Sequence, residues 1–258
     1  MKFGICSDAS LAPLAKEAGF DYLEGYACGL LKPLQSMTAE VEDALAAVRE
    51  AVLPTETLNG FFPGELKITG PDADPEANAD CADTIFERAK LIGVKTIVFG
   101  SGGARRLPEG WSHSRGTAQI VEFLDRIAPS AQRCGIRLAI EPLRKAECNI
   151  VNTVGEAASI ARAVNNPAVG VLVDCFHWTE DDDSAAGVVG NGDILLHTHI
   201  ATYPKRQAPG VEKFDFTPFF DALKAAKYDL RVSIEGGLDR SPEGLKKAHD
   251  ILRGYVPQ

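Results

Sequence analysis

The sequence contains no Cys-x-x-Cys pair, no long run of Lys and Arg, and no low-complexity tract. No apolar stretch approaches the ~20 residues that a bilayer crossing needs. Each absence excludes something. The six cysteines (Cys6, Cys28, Cys81, Cys134, Cys148 and Cys175) are widely spaced. That argues against a thiolate zinc site or a disulfide frame, and for reduced thiols packed as small apolar groups. Lys and Arg number 27 against 36 Asp and Glu, a formal net charge of −9. An acidic chain without a basic patch is a poor match for nucleic acid phosphates. The start, Met1-Lys2-Phe3-Gly4-Ile5, has no secretory pattern. The expectation is a cytoplasmic protein with neither a nucleic acid nor a membrane partner. No linker or shift in composition divides the 258 residues, so one domain over 1–258 is expected.

What is present is alternation. Strand-like runs are expected at Phe3–Cys6, Phe20–Glu24, Pro54–Asn59, Thr96–Phe99, Arg137–Ile140, Gly170–Val173, Ile194–Ile200 and Arg231–Ile234. Helices are expected between them. These are Leu11–Ala18, a run opened by Thr38 with Val41, Leu45, Val48 and Val52 on one face, Ala79–Ile92, Ile120–Cys134, Val154–Val164, Asp181–Val189, Phe219–Ala226 and Pro242–Leu252. Gly60–Asp74 and Gly100–Arg115 read as loops. Eight βα units in about 250 residues predict an α/β fold of the (β/α)8 TIM barrel type. The alternative, a doubly wound open sheet, usually has a glycine-rich turn after its first strand. Here that turn is Cys6-Ser7-Asp8-Ala9-Ser10, without glycine. Gly100-Ser101-Gly102-Gly103, near Arg105 and Arg106, is either an anion loop or a plain turn.

Four strand ends carry the chemistry. Glu141 follows the fifth strand, Asp174 the sixth, His199 lies near the end of the seventh, and Glu235 follows the eighth. Taken singly, each has an ordinary explanation: a helix cap, an Asx turn, a core histidine, a solvated turn. Four on successive strands are harder to dismiss. In a TIM barrel those ends share one face, where active sites lie. Three carboxylates and an imidazole brought together repel or shift one another's pKa unless a cation sits among them. Oxygen-rich ligation with one nitrogen suits Mn²⁺, Mg²⁺ or Co²⁺. His197, two residues before His199, points to the same side one layer deeper. His113 and His249 have no comparable setting.

Ile140-Glu141-Pro142-Leu143, Asp174-x-x-His177, His197-x-His199 and Glu235-Gly236 together resemble the xylose-isomerase-like TIM barrel superfamily, in its sugar phosphate isomerase/epimerase branch of ketose 3-epimerases and hydroxypyruvate isomerases. The resemblance spans essentially the whole chain. It implies one divalent metal ion held by Glu141, Asp174, His199 and Glu235, and substrate contacts from Glu147, His177 and Arg206, with Lys205 the alternative to Arg206. It also implies a possible homo-oligomer. Leu143-Arg144-Lys145-Ala146 stands where the ketose epimerases often carry Asn-Arg, and His199 where the hydroxypyruvate isomerases often carry Gln. A DNA-repair endonuclease of the same superfamily has extra histidines on strands two to four. Glu24, Asn59 and Phe99-Gly100 occupy those ends here.

The resulting expectation is a metal-dependent sugar isomerase or epimerase acting on a ketose or related hydroxy-carbonyl compound through a metal-bound enediolate, with Glu141 and Glu235 as the proton-transfer pair. A lyase or decarboxylase on a keto-sugar acid and a non-catalytic sugar-binding barrel are the alternatives. Phe61, Phe62, Trp111 and Trp178 either wall the site from water or pack the loops.

Overall fold

The computed structural model describes residues 1–256. Eight strands form one closed barrel in sequence order: β1 (Lys2–Cys6), β2 (Tyr22–Tyr26), β3 (Thr55–Asn59), β4 (Thr96–Phe99), β5 (Arg137–Ile140), β6 (Val169–Asp174), β7 (Leu195–Ile200) and β8 (Arg231–Ile234). Neighbours pair in parallel, and β1 closes on β8 through Phe3 opposite Val232 and Ile5 opposite Ile234. The outer layer is formed by the helices Ala12–Ala18, Ala39–Arg49, Pro75–Leu91, His113–Cys134, Val154–Val164, Ala185–Val189, Thr217–Ala225 and Pro242–Gly254. No helix among the described residues is long and apolar enough to cross a membrane.

Local chemistry sets the boundaries. β4, β5, β8 and the helix Val154–Val164 fall where the apolar spacing puts them. β2 starts two residues later than expected. Gly19 ends the preceding helix at φ +101°, and the Phe20 N–H turns back to Ala15 O, so Phe20 belongs to the helix exit. Val52 is 56% exposed and off the helix. That helix stops at Arg49, where the Glu50 N–H closes on Ala46 O and Val48 O, and Pro54 disfavours helical backbone at Leu53. Two helices start earlier than their apolar residues suggest, since their first turns are defined by caps. Asp74 accepts from Glu76 and Ala77 N–H ahead of Pro75, and Ser112 accepts from Arg115 N–H. The expected helix over Asp181–Val189 is reduced to Ala185–Val189, and a separate short helix, Cys175–Glu180, precedes it.

The barrel lumen is layered. Val98, Ala139, Leu172 and Leu196, from β4 to β7, form a small apolar cluster apart from the main core. Val98, Ala139 and Leu172 lie two residues before Gly100, Glu141 and Asp174. They therefore share the inner face with them and floor the polar site above.

Candidate functional site

The four strand-end residues converge. One donor atom each from Glu141, Asp174, His199 and Glu235 lie within 4.8 Å of one another. Asp174 does two jobs. Its Oδ1 accepts from the Phe176 N–H at 2.8 Å and starts the helix Cys175–Glu180. Its Oδ2 lies 3.1 Å from Arg206 Nη2 and 3.5 Å from His177 Nε2. Glu141 follows β5 and packs against backbone: a side chain at Gly100 would collide with its carboxylate. Arg105 fixes this corner from below. It is fully buried and donates to Phe99 O at 2.9 Å and Glu141 O at 2.6 Å. Arg106 donates to Glu147 O at 2.6 Å. Both arginines near the glycine cluster are thus engaged with carbonyls, and the cluster is a packed turn rather than an anion loop.

His199 sits at the centre, fully buried. Its Nδ1 is 3.2 Å from Glu141 Oε1 and 3.1 Å from Glu235 Oε2, and its Nε2 is 2.8 Å from Glu24 Oε1. Burial alone would lower its pKa, but Glu24, Glu235 and Glu141 outweigh burial and hold it well above the usual histidine value. The two glutamates are driven apart. Burial, with the charge of Glu235, raises the Glu141 carboxyl despite His199. Glu235 also resists charge through burial, yet His199 and Arg206 hold it down to about 2.

The expected substrate contacts surround this cluster. Arg206 Nη2 lies 2.6 Å from Glu235 Oε2, and Nη1 lies 3.5 Å from Glu147 Oε1. Glu147 also accepts from Arg144 Nε at 2.7 Å. His177 is 4% exposed and neither ring nitrogen has a hydrogen-bond partner. Lys205 points away, 74% exposed beside Glu212, so Arg206 is the loop's inward residue. Of the two readings of the aromatic residues, the structure supports packing. Phe61 and Phe62 pack among Phe86, Phe99 and Phe123, Trp111 lies under Arg115, and Trp178 packs on Phe219. Phe176 is the aromatic at the site, with Arg144 at 5.0 Å and Arg206 at 4.9 Å from its ring centre. His113 bonds Asn149 O, and His249 packs edge-on to Phe3 and Phe20.

Sequence reasoning placed Glu24 and Asn59 only as residues standing where histidines were absent. Asn59 Nδ2 donates to Glu235 Oε1 at 3.2 Å. Glu24 is 1% exposed and lies between His197 and His199. Burial opposes its charge, but the two imidazoles hold it well below the carboxylate range. Cys6 brings its thiol within 4.8 Å of Glu24 and His199 donor atoms, and burial pushes its pKa up. The available signal for Glu24 was a carboxylate on an otherwise apolar barrel strand, facing the same lumen as His197.

Comparison with known proteins agrees with this fold. The sequence profile of the xylose isomerase-like TIM barrel matches residues 12–255. A 3-dehydro-D-guloside 4-epimerase of Escherichia coli (strain K12) is 28% identical over 86% of this chain and 84% of its own. A ketose 3-epimerase of Arthrobacter globiformis is 29% identical over 85% of this chain and 74% of its own. Among solved structures, D-psicose 3-epimerase with D-tagatose from Clostridium cellulolyticum H10 superposes with a TM-score of 0.83 at 19% identity, covering 100% of both chains. The chain belongs to the xylose isomerase-like TIM barrel family.

Proposed function

We propose that this protein is an isomerase-class enzyme, a sugar epimerase that uses one divalent metal ion to act on a ketose or related hydroxy-carbonyl compound. The observation that carries the reading is the convergence of Glu141, Asp174, His199 and Glu235 donors within 4.8 Å at four successive strand ends. The donor set fits a cation. Two carboxylate oxygens face His199 Nδ1 at 3.1 and 3.2 Å, an arrangement that repels unless a proton or a metal lies between them. Three carboxylates and one imidazole suit Mn²⁺, Mg²⁺ or Co²⁺. When bound there, the cation polarises a carbonyl and the neighbouring hydroxyl, which makes the C–H bond between them more acidic.

The chain's own groups do the rest. Glu141 and Glu235 flank His199 Nδ1 from β5 and β8. One removes the proton and the other returns it to the opposite face, which inverts the carbon. His177 and Arg206 orient substrate oxygens: His177 has both nitrogens uncommitted, and Arg206 is fixed between Glu235 and Glu147. Glu147 takes a terminal hydroxyl. Phe176 covers this side and limits water. The named relatives are carbohydrate epimerases, which supports epimerisation of a sugar over the lyase alternative.

The test is solvent exchange. The Mn²⁺-loaded protein, incubated with a panel of ketoses in deuterated water, is expected to place deuterium on the carbon beside the carbonyl and to yield the epimer. A binder would raise the melting temperature and exchange nothing. That outcome would leave the barrel a sugar-binding protein.

A further inference from the structure

Glu24 is a buried carboxylate to which the proposed reaction gives no role. It stands on β2, across the lumen from the metal-site strands, and receives four hydrogen bonds. His199 Nε2 reaches Oε1 at 2.8 Å. His197 Nε2, Thr57 Oγ1 and Ser233 Oγ reach Oε2 at 2.7, 2.9 and 2.6 Å. Three of these donors crowd Oε2, and His199 has Oε1 to itself. Ser233 gives its proton to Glu24, and the Tyr22 hydroxyl then donates to Ser233 Oγ at 2.8 Å. Each group's proton is therefore assigned by its neighbour. Both imidazoles must present Nε2–H to Glu24, because an ionised carboxylate can only accept.

The consequence falls on His199. With Nε2–H directed at Glu24, the nitrogen left facing Glu141 and Glu235 is Nδ1. We propose that Glu24 is the positioning residue of the site: it fixes His199 as the Nε2–H tautomer and so presents the Nδ1 lone pair to a divalent cation. This inference rests on the metal-site reading above. The general physics is that a carboxylate behind a ligating histidine sets its tautomer and ring orientation and makes the imidazole a better donor. The position of Glu24 fits that role more closely than a purely structural one. Its four donors come from β3, β7 and β8, yet His199 alone takes one oxygen to itself. His197, whose ring stands at 87° to that of His199, braces the other oxygen. Removing Thr57's hydroxyl would loosen packing around Glu24 without touching the bond to His199.

The experiment has two arms. Mn²⁺ affinity is measured by calorimetry on the full chain as wild type, Glu24→Gln and Thr57→Val. Glu24→Gln replaces one accepting oxygen by an NH₂ donor and is expected to weaken Mn²⁺ binding by about 10–100-fold. Thr57→Val is expected to lower the melting temperature while leaving Mn²⁺ affinity within about twofold. The second arm needs no variant. Nitrogen-15 NMR of the wild type loaded with diamagnetic Zn²⁺ is expected to show His199 protonated at Nε2 and ligated at Nδ1. Protonation at Nδ1 overturns the inference even if Glu24→Gln does not fold. A wild type that binds Mn²⁺ no more tightly than Glu24→Gln overturns this inference and leaves the metal site standing. A wild type that takes up no Mn²⁺ overturns both.

Discussion

Arg206 Nη2 lies 2.6 Å from Glu235 Oε2, a charge-assisted bond that ties the loop after β7 to the end of β8. The same nitrogen is 3.1 Å from Asp174 Oδ2. These carboxylates, with Glu141 and Glu147, keep the guanidinium protonated despite its partial burial. Arg206 thus places a positive charge beside the donor cluster without being a donor to a cation itself.

Arg206→Ala should therefore separate binding from metal uptake. A hydrogen bond to a charged group contributes about 1.5–3 kcal/mol, so KM for the ketose is expected to rise by roughly 10–100-fold. Mn²⁺ affinity should stay level or tighten, because a competing cation has been removed. Steady-state kinetics and calorimetry check the two halves. Loss of Mn²⁺ on this substitution would show that Arg206 organises the metal ligands instead.

His177→Ala makes a related but distinct prediction. The ring lies 3.5 Å from Asp174 and 3.9 Å from Glu147, with both nitrogens unpaired. A buried imidazole without a partner is costly unless something else completes it, and the substrate is the proposed partner. The variant should keep its metal, fold normally, and lose kcat/KM. A variant with unchanged kcat/KM would mean that His177 serves the helix Cys175–Glu180 and not the substrate.

Arg105 tests the support beneath Glu141. It holds the Phe99 and Glu141 carbonyls from a fully buried position. Arg105→Leu leaves the buried Glu141 carbonyl without its donor, at about 1–3 kcal/mol, while Phe99 O keeps the Glu141 N–H at 3.1 Å. Urea unfolding should show a loss of about 1–3 kcal/mol at an unchanged m-value. A loss below about 1 kcal/mol would mean that water replaces the guanidinium.

These residues show what a sequence reveals and what it hides. Glu141, Asp174, His199 and Glu235 stand out because each interrupts or ends an apolar β-branched run, a local pattern. Glu24 does so less clearly. With β2 expected two residues early, it appears at the strand end, whereas in the barrel it lies mid-strand with Gly25 and Tyr26 beyond it. Its partners are 33, 173, 175 and 209 residues away, and such pairings exist only after the barrel closes. The sequence leaves the aromatic residues undecided for a similar reason. Phe61 and Trp178 look like loop residues in sequence but are absorbed by helices from other βα units. Early helix starts at Pro75 and His113 depend on polar caps, which hydrophobic spacing does not register.

The raised pKa of His199 predicts proton release on metal binding. In the metal-free site the carboxylates, against burial, hold it well above the usual histidine value, which favours the form with a proton on both ring nitrogens. A cation must take Nδ1 as a lone pair, which expels one proton. Mn²⁺ affinity should therefore rise with pH by about tenfold per unit below the folded-state pKa and level off above it. Calorimetry at pH 7 in buffers of different ionisation enthalpy should report at least one proton released. Zero protons would mean that His199 is already neutral or does not ligate.

Glu141 and Glu235 are the proposed proton-transfer pair, and replacing either one tests the assignment. Glu141 and Glu235 are the two carboxylates that contact His199 Nδ1, and they emerge from strands on either side of β6 and β7. Their environments differ. Glu141 is 5% exposed and its carboxyl is pushed up by burial, whereas the Glu235 side chain is 25% exposed and held ionised by His199 and Arg206. Groups driven apart in this way are suited to opposite halves of one proton transfer. Gln at either position keeps the size and one oxygen but cannot take a proton. Turnover should fall roughly 10²–10⁴-fold in each variant. If inversion needs both groups, one Gln variant should still wash deuterium into the substrate from its surviving face while forming no epimer, and the other should wash it into the product from the reverse direction. Mass spectrometry of recovered sugar, run alongside Mn²⁺ occupancy, reads both. Glu141→Gln and Glu235→Gln proteins that remain metal-loaded and turn over at near wild-type rates would place the chemistry on other residues.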